Sequence, residues 1–106
     1  MTRRFEVWVV ELDLTRGSEI AKTRPCVIVS PDELNQLPRT VLIAPLTSTR
    51  KHYPSRIDVA FRGQAGRVAL DQLRTADKAH LLKRVGALTA AEVDMVLAGL
   101  LTLFAR

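Results

Sequence analysis

Apolar residues alternate with polar ones, or gather in short β-branched runs, through the first two thirds of the chain, and fall at helical spacing only near its end. From Phe5 to Leu12 the residues Val7, Trp8, Val9 and Val10 are set against Glu6 and Glu11, which predicts a strand with at least one buried face. Asp13 to Arg24 loses that rhythm, carries Gly17 and stops at Pro25, which predicts a long polar loop. A loop of about a dozen residues in a small domain is often functional. Apolar runs resume at Pro25 to Val29 and at Val41 to Leu46, with a short turn or helical turn opening at Pro31 and Asp32 between them. After a second loop, Thr47 to Pro54, the residues Ile57, Val59 and Phe61 alternate inward against Arg56, Asp58 and Ala60. Gly63 and Gly66 then bracket a hairpin turn into a strand from Arg67 to Leu73. A short strand over Gln72 to Thr75 and a helical turn capped by Asp77, through Lys78 to Leu82, are weaker signals. Thr89-Ala90-Ala91-Glu92 is a capping box, and Val93, Val96, Leu97, Leu100 and Phe104 follow at helical spacing. Met95, Leu101 and Leu103 fall off that stripe, so the terminal helix is expected to bury a second face against a partner.

Five or six short strands with one helix at the end predict a mainly β fold with a C-terminal helix, built as a small, strongly bent antiparallel barrel. Residues 1–106 make one domain, and a composition 47% hydrophobic and 25% charged is that of a globular chain. Aromatics are only 5%, so the core is expected to be aliphatic, with Trp8 and a few Phe residues as its large pieces. Such a core is small, which favours a homodimer. Cys26, the lone cysteine, lies in an apolar run and reads as buried filling. Glu6 and Glu11 interrupt any secretory hydrophobic region, and the apolar stretch from Val93 to Ala105 contains Asp94 and falls short of the roughly 20 residues a membrane span needs. No membrane partner and a cytoplasmic location are expected.

Charge changes the picture. Sixteen Lys and Arg against eleven Asp and Glu give +5, with a pI near 10.1, which favours a polyanionic partner. Between Arg39 and Arg67 the bases Arg39, Arg50, Lys51, Arg56, Arg62 and Arg67 face one acid, Asp58, so six minus one puts +5 in this stretch alone. Twelve of the sixteen bases are Arg, whose planar fork matches phosphate oxygens. The same charge would also suit an ordinary solvated face. No His or Cys spacing suits zinc, no Gly-rich loop suits a nucleotide, and no Ser-His-Asp set is present, so neither a metal site nor a cofactor is expected.

Chemistry-bearing residues concentrate in Thr15-Arg16-Gly17-Ser18-Glu19 through Thr23-Arg24-Pro25, in Ala44-Pro45-Leu46-Thr47-Ser48, and at Asp71-Gln72. Together with Glu6-Val7-Trp8, the run Arg24 to Pro31, Asp71-Gln72-Leu73-Arg74-Thr75, Gly86 and the closing helix, they resemble the MazF/PemK-type toxins of bacterial toxin-antitoxin modules from end to end. The resemblance implies an SH3-like barrel, a homodimer, cutting of messenger RNA at short recognition sequences, and a cognate antitoxin that blocks the site. It also implies catalytic roles for Arg24 and Thr47 and places Glu19 at the family's loop glutamate. Some branches use the acid of the Asp-Gln pair with an Arg two residues earlier, which here is Ala69, so Asp71 is the weaker candidate base beside Glu19. Phe5 stands where relatives commonly carry Gly, Leu14 where they carry Pro, Ala79 where they carry Ser, and His80 where they carry Arg.

An RNase needs no metal, because the 2′-hydroxyl is the nucleophile, leaving a 2′,3′-cyclic phosphate and a 5′-hydroxyl. The protein must add a base, a proton donor or polariser for the leaving oxygen, and positive charge at the phosphorane. Arg24, always protonated, suits the last role, and Thr47 suits a non-bridging oxygen. Base recognition in single-stranded RNA falls to the loops carrying Arg16 and Lys22, and Ser48, Arg50, Lys51, His52 and Tyr53, with Gln72 beside them. Two other readings stay open. One is a toxin of the same fold that traps DNA gyrase by contact alone, against which this chain lacks an aromatic-Gly-aliphatic tail; the other is a catalytically silent relative that binds RNA or antitoxin.

Overall fold

The computed structural model describes residues 2–13, 22–48 and 55–105. In chain order these form β1 (Glu6–Asp13), β2 (Lys22–Ile28), a one-turn helix α1 (Asp32–Asn35), β3 (Thr40–Thr47), β4 (Arg56–Phe61), β5 (Gln64–Ala69), β6 (Arg74–Asp77), β7 (Leu81–Ala87) and α2 (Ala90–Phe104). Single turns of tighter helix, Leu70–Gln72 and Lys78–His80, flank β6. The strands run in the order β4-β5-β3-β2-β1-β7, with β6 added beside β3, and every pairing is antiparallel. The sheet curls into a half-barrel with α2 across it.

β3 makes the bend. On one edge it pairs with β2, while on the other it passes from β6, at Thr40 to Ile43, to β5, at Leu46 and Thr47. Pro45, which has no N–H to give a ladder, falls in that changeover. Alternate residues of the bent strands feed two separate cores. Val27, Val29, Ala44 and Leu46 join Val7, Val59, Val68, Leu70 and Val96 under α2, whereas Cys26, Ile28, Val41 and Ile43 join Val10 and Ala76 on the other face, edged by Trp8 and Leu81. Burial of both faces explains why Cys26 to Val29 reads as an unbroken apolar run. Gly99 lets α2 lie close, since a Cβ there would stand 2.8 Å from the Cδ1 atoms of both Ile57 and Leu70.

The capping box is present as expected, with Glu92 N–H donating to the Thr89 hydroxyl and Thr89 N–H donating to the Glu92 carboxylate. Glu92 does more than cap: its other oxygen accepts from Ala60 N–H at 2.8 Å and ties α2 to β4. Asp77 caps its helical turn by accepting from Ala79 N–H.

Several expectations need correction. β2 begins at Lys22, so the end of the supposed loop is strand. The hairpin turn is Arg62-Gly63 alone, both at positive φ (52° and 77°), as a two-residue turn of the type matched to strand twist requires, and Gly66 lies inside β5. β5 ends at Ala69 rather than Leu73, because Leu70 to Gln72 turn. Strand β7 was missed: two register shifts against β1 break the period-two pattern that would have announced it. Every aromatic in the described residues is half-buried or exposed, so the fully buried pieces are Ile28, Ile43, Leu70 and valines. Phe104, placed on the buried stripe of α2, is 69% exposed. Phe5 has φ 67°, the left-handed conformation that glycine adopts without strain, so the position would suit the Gly that the resemblance led us to expect there.

Candidate active site

The β2–β3 ladder closes at Cys26 opposite Pro45 and goes no further. Beyond it the two strand ends part around a cleft of about 420 Å³, lined by Thr23, Arg24 and Pro25 from β2, Leu46, Thr47 and Ser48 from β3, and Phe61, Gln64, Ala65 and Gly66 from the β4–β5 hairpin. Carrying the ladder's register two residues past its end brings Arg24 across from Thr47. Local chain chemistry sets this up. Pro25 restricts Arg24 to extended backbone, and on its other edge β2 holds Arg24 opposite Val10 of β1. Thr47 is held from the far side by its pairing with Arg67 of β5.

Arg24 is exposed and, among the described residues, forms no ion pair. The cleft therefore presents a guanidinium beside a hydroxyl-bearing strand end, with Phe61 and Pro25 as apolar walls. Of the residues singled out from sequence, the structure brings Arg24, Thr47 and Ser48 together here. Lys22 is exposed at the start of β2, two residues from Arg24. Arg16, Glu19, Arg50, Lys51, His52 and Tyr53 lie outside the described residues.

Asp71 and Gln72 do not line this cleft. They sit in the turn after β5, both exposed. The Asp71 carboxylate accepts from Arg56 Nε at 2.7 Å and Nη2 at 3.1 Å, and from the Ser55 hydroxyl at 3.1 Å. Those bonds, led by the one from Arg56, lower its pKa below the ordinary 3.8 and make it a weaker base. The guanidinium that Ala69 cannot supply thus comes from the strand alongside, since Arg56 pairs with Ala69 across the hairpin and reaches diagonally to Asp71. Arg56 was expected to face solvent, yet its side chain is only 8% exposed.

Sequence reading missed Phe61, Gln64, Ala65 and Gly66 as cleft residues. The signal was the hairpin: centring the turn on Arg62-Gly63 pairs Phe61 with Gln64 and Asp58 with Arg67, whereas a turn bracketed by Gly63 and Gly66 shifts that register. Burial pushes the Cys26 thiol up to about 12, so it takes no part in the chemistry as a nucleophile. Groups of three or more His, Cys, Asp or Glu placed to hold a metal ion are absent among the described residues.

A half-barrel whose strands part around an arginine that has no ion-pair partner among the described residues defines a small β protein suited to a polyanion. Residues 3–104 match the family described as the PemK-like, MazF-like toxin of type II toxin-antitoxin systems, and the chain belongs to that family. It is 36% identical over 108 residues to the endoribonuclease MazF9 of Mycobacterium tuberculosis, an alignment covering 88% of this chain and 87% of the relative. It is likewise 36% identical over 107 residues to the endoribonuclease PemK of Escherichia coli, covering 94% and 80%. Among solved structures, an endoribonuclease in complex with its cognate antitoxin from Mycobacterial species superposes with a TM-score of 0.83 at 26% identity, covering 100% of this chain and 98% of the other.

Proposed function

We propose that this protein is a toxin endoribonuclease that cuts single-stranded RNA at the cleft between β2 and β3, without a metal ion. The observation that carries the reading is the placement of Arg24 and Thr47 on the two lips of one cleft. The 2′-hydroxyl of the substrate attacks phosphorus; the Arg24 guanidinium meets the negative charge that builds on the phosphorane oxygens, and the Thr47 hydroxyl donates to a non-bridging oxygen. The 2′-hydroxyl proton goes to the base, and the 5′-oxygen leaves taking up a proton from solvent, giving a 2′,3′-cyclic phosphate and a 5′-hydroxyl. Glu19 is assigned as the base, because Asp71 is outside the cleft lining and held by Arg56.

The same reading assigns two protein partners. Met95, Leu101, Leu103 and Phe104 of α2 are 45%, 75%, 39% and 69% exposed, an apolar face suited to a second copy of the chain. A cognate antitoxin blocks the cleft, as the relatives crystallised with antitoxins suggest. No helix among the described residues is long and apolar enough to cross a membrane, and we assign the toxin to the cytoplasm, where its messenger RNA substrate is.

The deciding experiment incubates purified protein with a long RNA in excess chelator and maps the cut ends. Discrete cuts bearing cyclic phosphate support the reading. RNA left whole until magnesium is added refutes it.

A further inference from the structure

On the far side of Thr47 from Arg24 the cleft continues. A second depression of about 580 Å³ is lined by Thr47, Ser48, Asp58, Val59, Ala65, Gly66 and Arg67. The two share Thr47, Ser48, Ala65 and Gly66, so they form one trough passing over the end of β3. In the sheet, Thr47 pairs with Arg67 and Arg67 with Asp58, and directly opposite residues of antiparallel strands share a face. Thr47 is therefore bracketed by two arginines, Arg24 across the cleft on β2 and Arg67 beside it on β5.

Arg67 lies low in the trough, its side chain 16% exposed, and its Nε donates to Asp58 Oδ1 at 2.7 Å. Asp58 is 72% exposed, so solvent screens its side of the pair. Among the described residues, the lining around Arg67 contains no aromatic ring on which a base could stack, whereas the Arg24 side has Phe61. Charge without a stacking platform suits the RNA backbone better than a base.

We propose that Arg67 binds the backbone phosphate next to the scissile one, exchanging Asp58 for it when RNA enters. The assignment rests on Arg24 and Thr47 forming the cleavage centre. In the empty protein Asp58 neutralises Arg67; in the complex its carboxylate becomes a repulsive neighbour of the phosphate and thereby moderates affinity.

The test uses the full chain and a single-stranded RNA oligonucleotide containing one mapped cut site, with kcat and KM measured over a range of salt. Arg67→Gln is expected to raise KM about tenfold with kcat within about threefold, and to flatten the slope of log KM against log salt by about 0.7, the contribution of one phosphate contact on a single strand. Arg67→Lys keeps the slope. Asp58→Asn moves the other way and lowers KM, an opposition that a merely structural ion pair does not produce. Unchanged KM and slope in Arg67→Gln, or a changed choice of cut sequence with an unchanged slope, overturns the proposal. If Arg67→Gln fails to fold, Asp58→Asn decides it: a lowered KM supports the phosphate contact, and an unchanged or raised KM overturns it. Arg24→Ala run in parallel separates the two readings, because full kcat there removes the cleavage centre and leaves the Arg67 measurements to be judged as binding alone.

Discussion

Arg24 and Arg56 lie on strands of one curved sheet, and the sequence presents both as members of an arginine-rich basic population. Their surroundings make them different devices. Arg56 is nearly buried, forked onto Asp71, and flanked by Ser55. Arg24 is exposed on the lip of a cleft and, among the described residues, has no carboxylate beside it. A guanidinium already satisfied by a carboxylate has little left for a charge that develops later. One left for the substrate can respond when charge appears, which is what transition-state stabilisation requires. The Asp71 corner is a brace at the base of the hairpin, and the Arg24 corner is where the proposed mechanism puts the reaction centre.

The sharpest way to break that contrast is Arg24→Ala. Loss of one preorganised donor to the phosphorane is expected to lower kcat about 100-fold or more while the melting temperature stays within a few degrees, since the residue is exposed. Single-turnover cleavage of a mapped oligonucleotide checks it, and retention of full activity removes Arg24 from the centre. Thr47→Val comes next. A hydroxyl donating to a charged oxygen is worth roughly 1.5–3 kcal/mol, so kcat is expected to fall about tenfold or more, with KM little changed. A large rise in KM at constant kcat would make Thr47 a binding residue only.

These two residues were legible early because the resemblance to the MazF/PemK-type toxins rests on short contiguous motifs, Arg24-Pro25 and Pro45-Leu46-Thr47, that need no knowledge of strand register. The trough beyond them was not legible, because it depends on register. Asp58 faces Arg67, and Phe61 faces Gln64, only when the hairpin turns at Arg62-Gly63, and a second glycine at position 66 suggests a later turn that the strands do not make. The brace was hidden for the same reason, since Arg56 reaches Asp71 only once it is paired with Ala69. β7 was lost to register in another way: its bulges against β1 carry Leu81, Leu82 and Val85 out of strict alternation. The terminal helix needed no such information, because capping box and helical spacing lie within one segment, although its exposed end at Phe104 shows that spacing alone does not say where the core stops.

The brace half of the contrast predicts small effects. Asp71→Asn is expected to leave kcat within about threefold of the parent, because the carboxylate is outside the cleft lining and its pKa is lowered. A 100-fold loss would move Asp71 from brace to base and displace Glu19 from that role. Stability should drop by no more than about 1 kcal/mol, given that the Asp71 side chain is 38% exposed and its ion pair is screened by solvent.

The smallest effect lies in how that stability depends on pH. A carboxylate whose pKa is lower folded than unfolded binds fewer protons in the native state, so its stabilising contribution is fully present above the unfolded value. For Asp71 that value is near the ordinary 3.8, and the contribution disappears as pH falls below it and through the lowered folded pKa. Glu6 and Glu92 act in the same direction: burial, the largest influence on each, raises the pKa, but their hydrogen bonds together outweigh it and leave both lowered. All three should therefore soften the protein toward acid, and the parent alone does not separate them. The difference between parent and Asp71→Asn does. Urea midpoints measured from pH 7 down to about pH 3 are expected to show a constant gap above pH 5 that narrows as Asp71 protonates. A gap that keeps its width through that window would mean that Arg56 does not hold the carboxylate in solution, and Asp71 would again be available as a base.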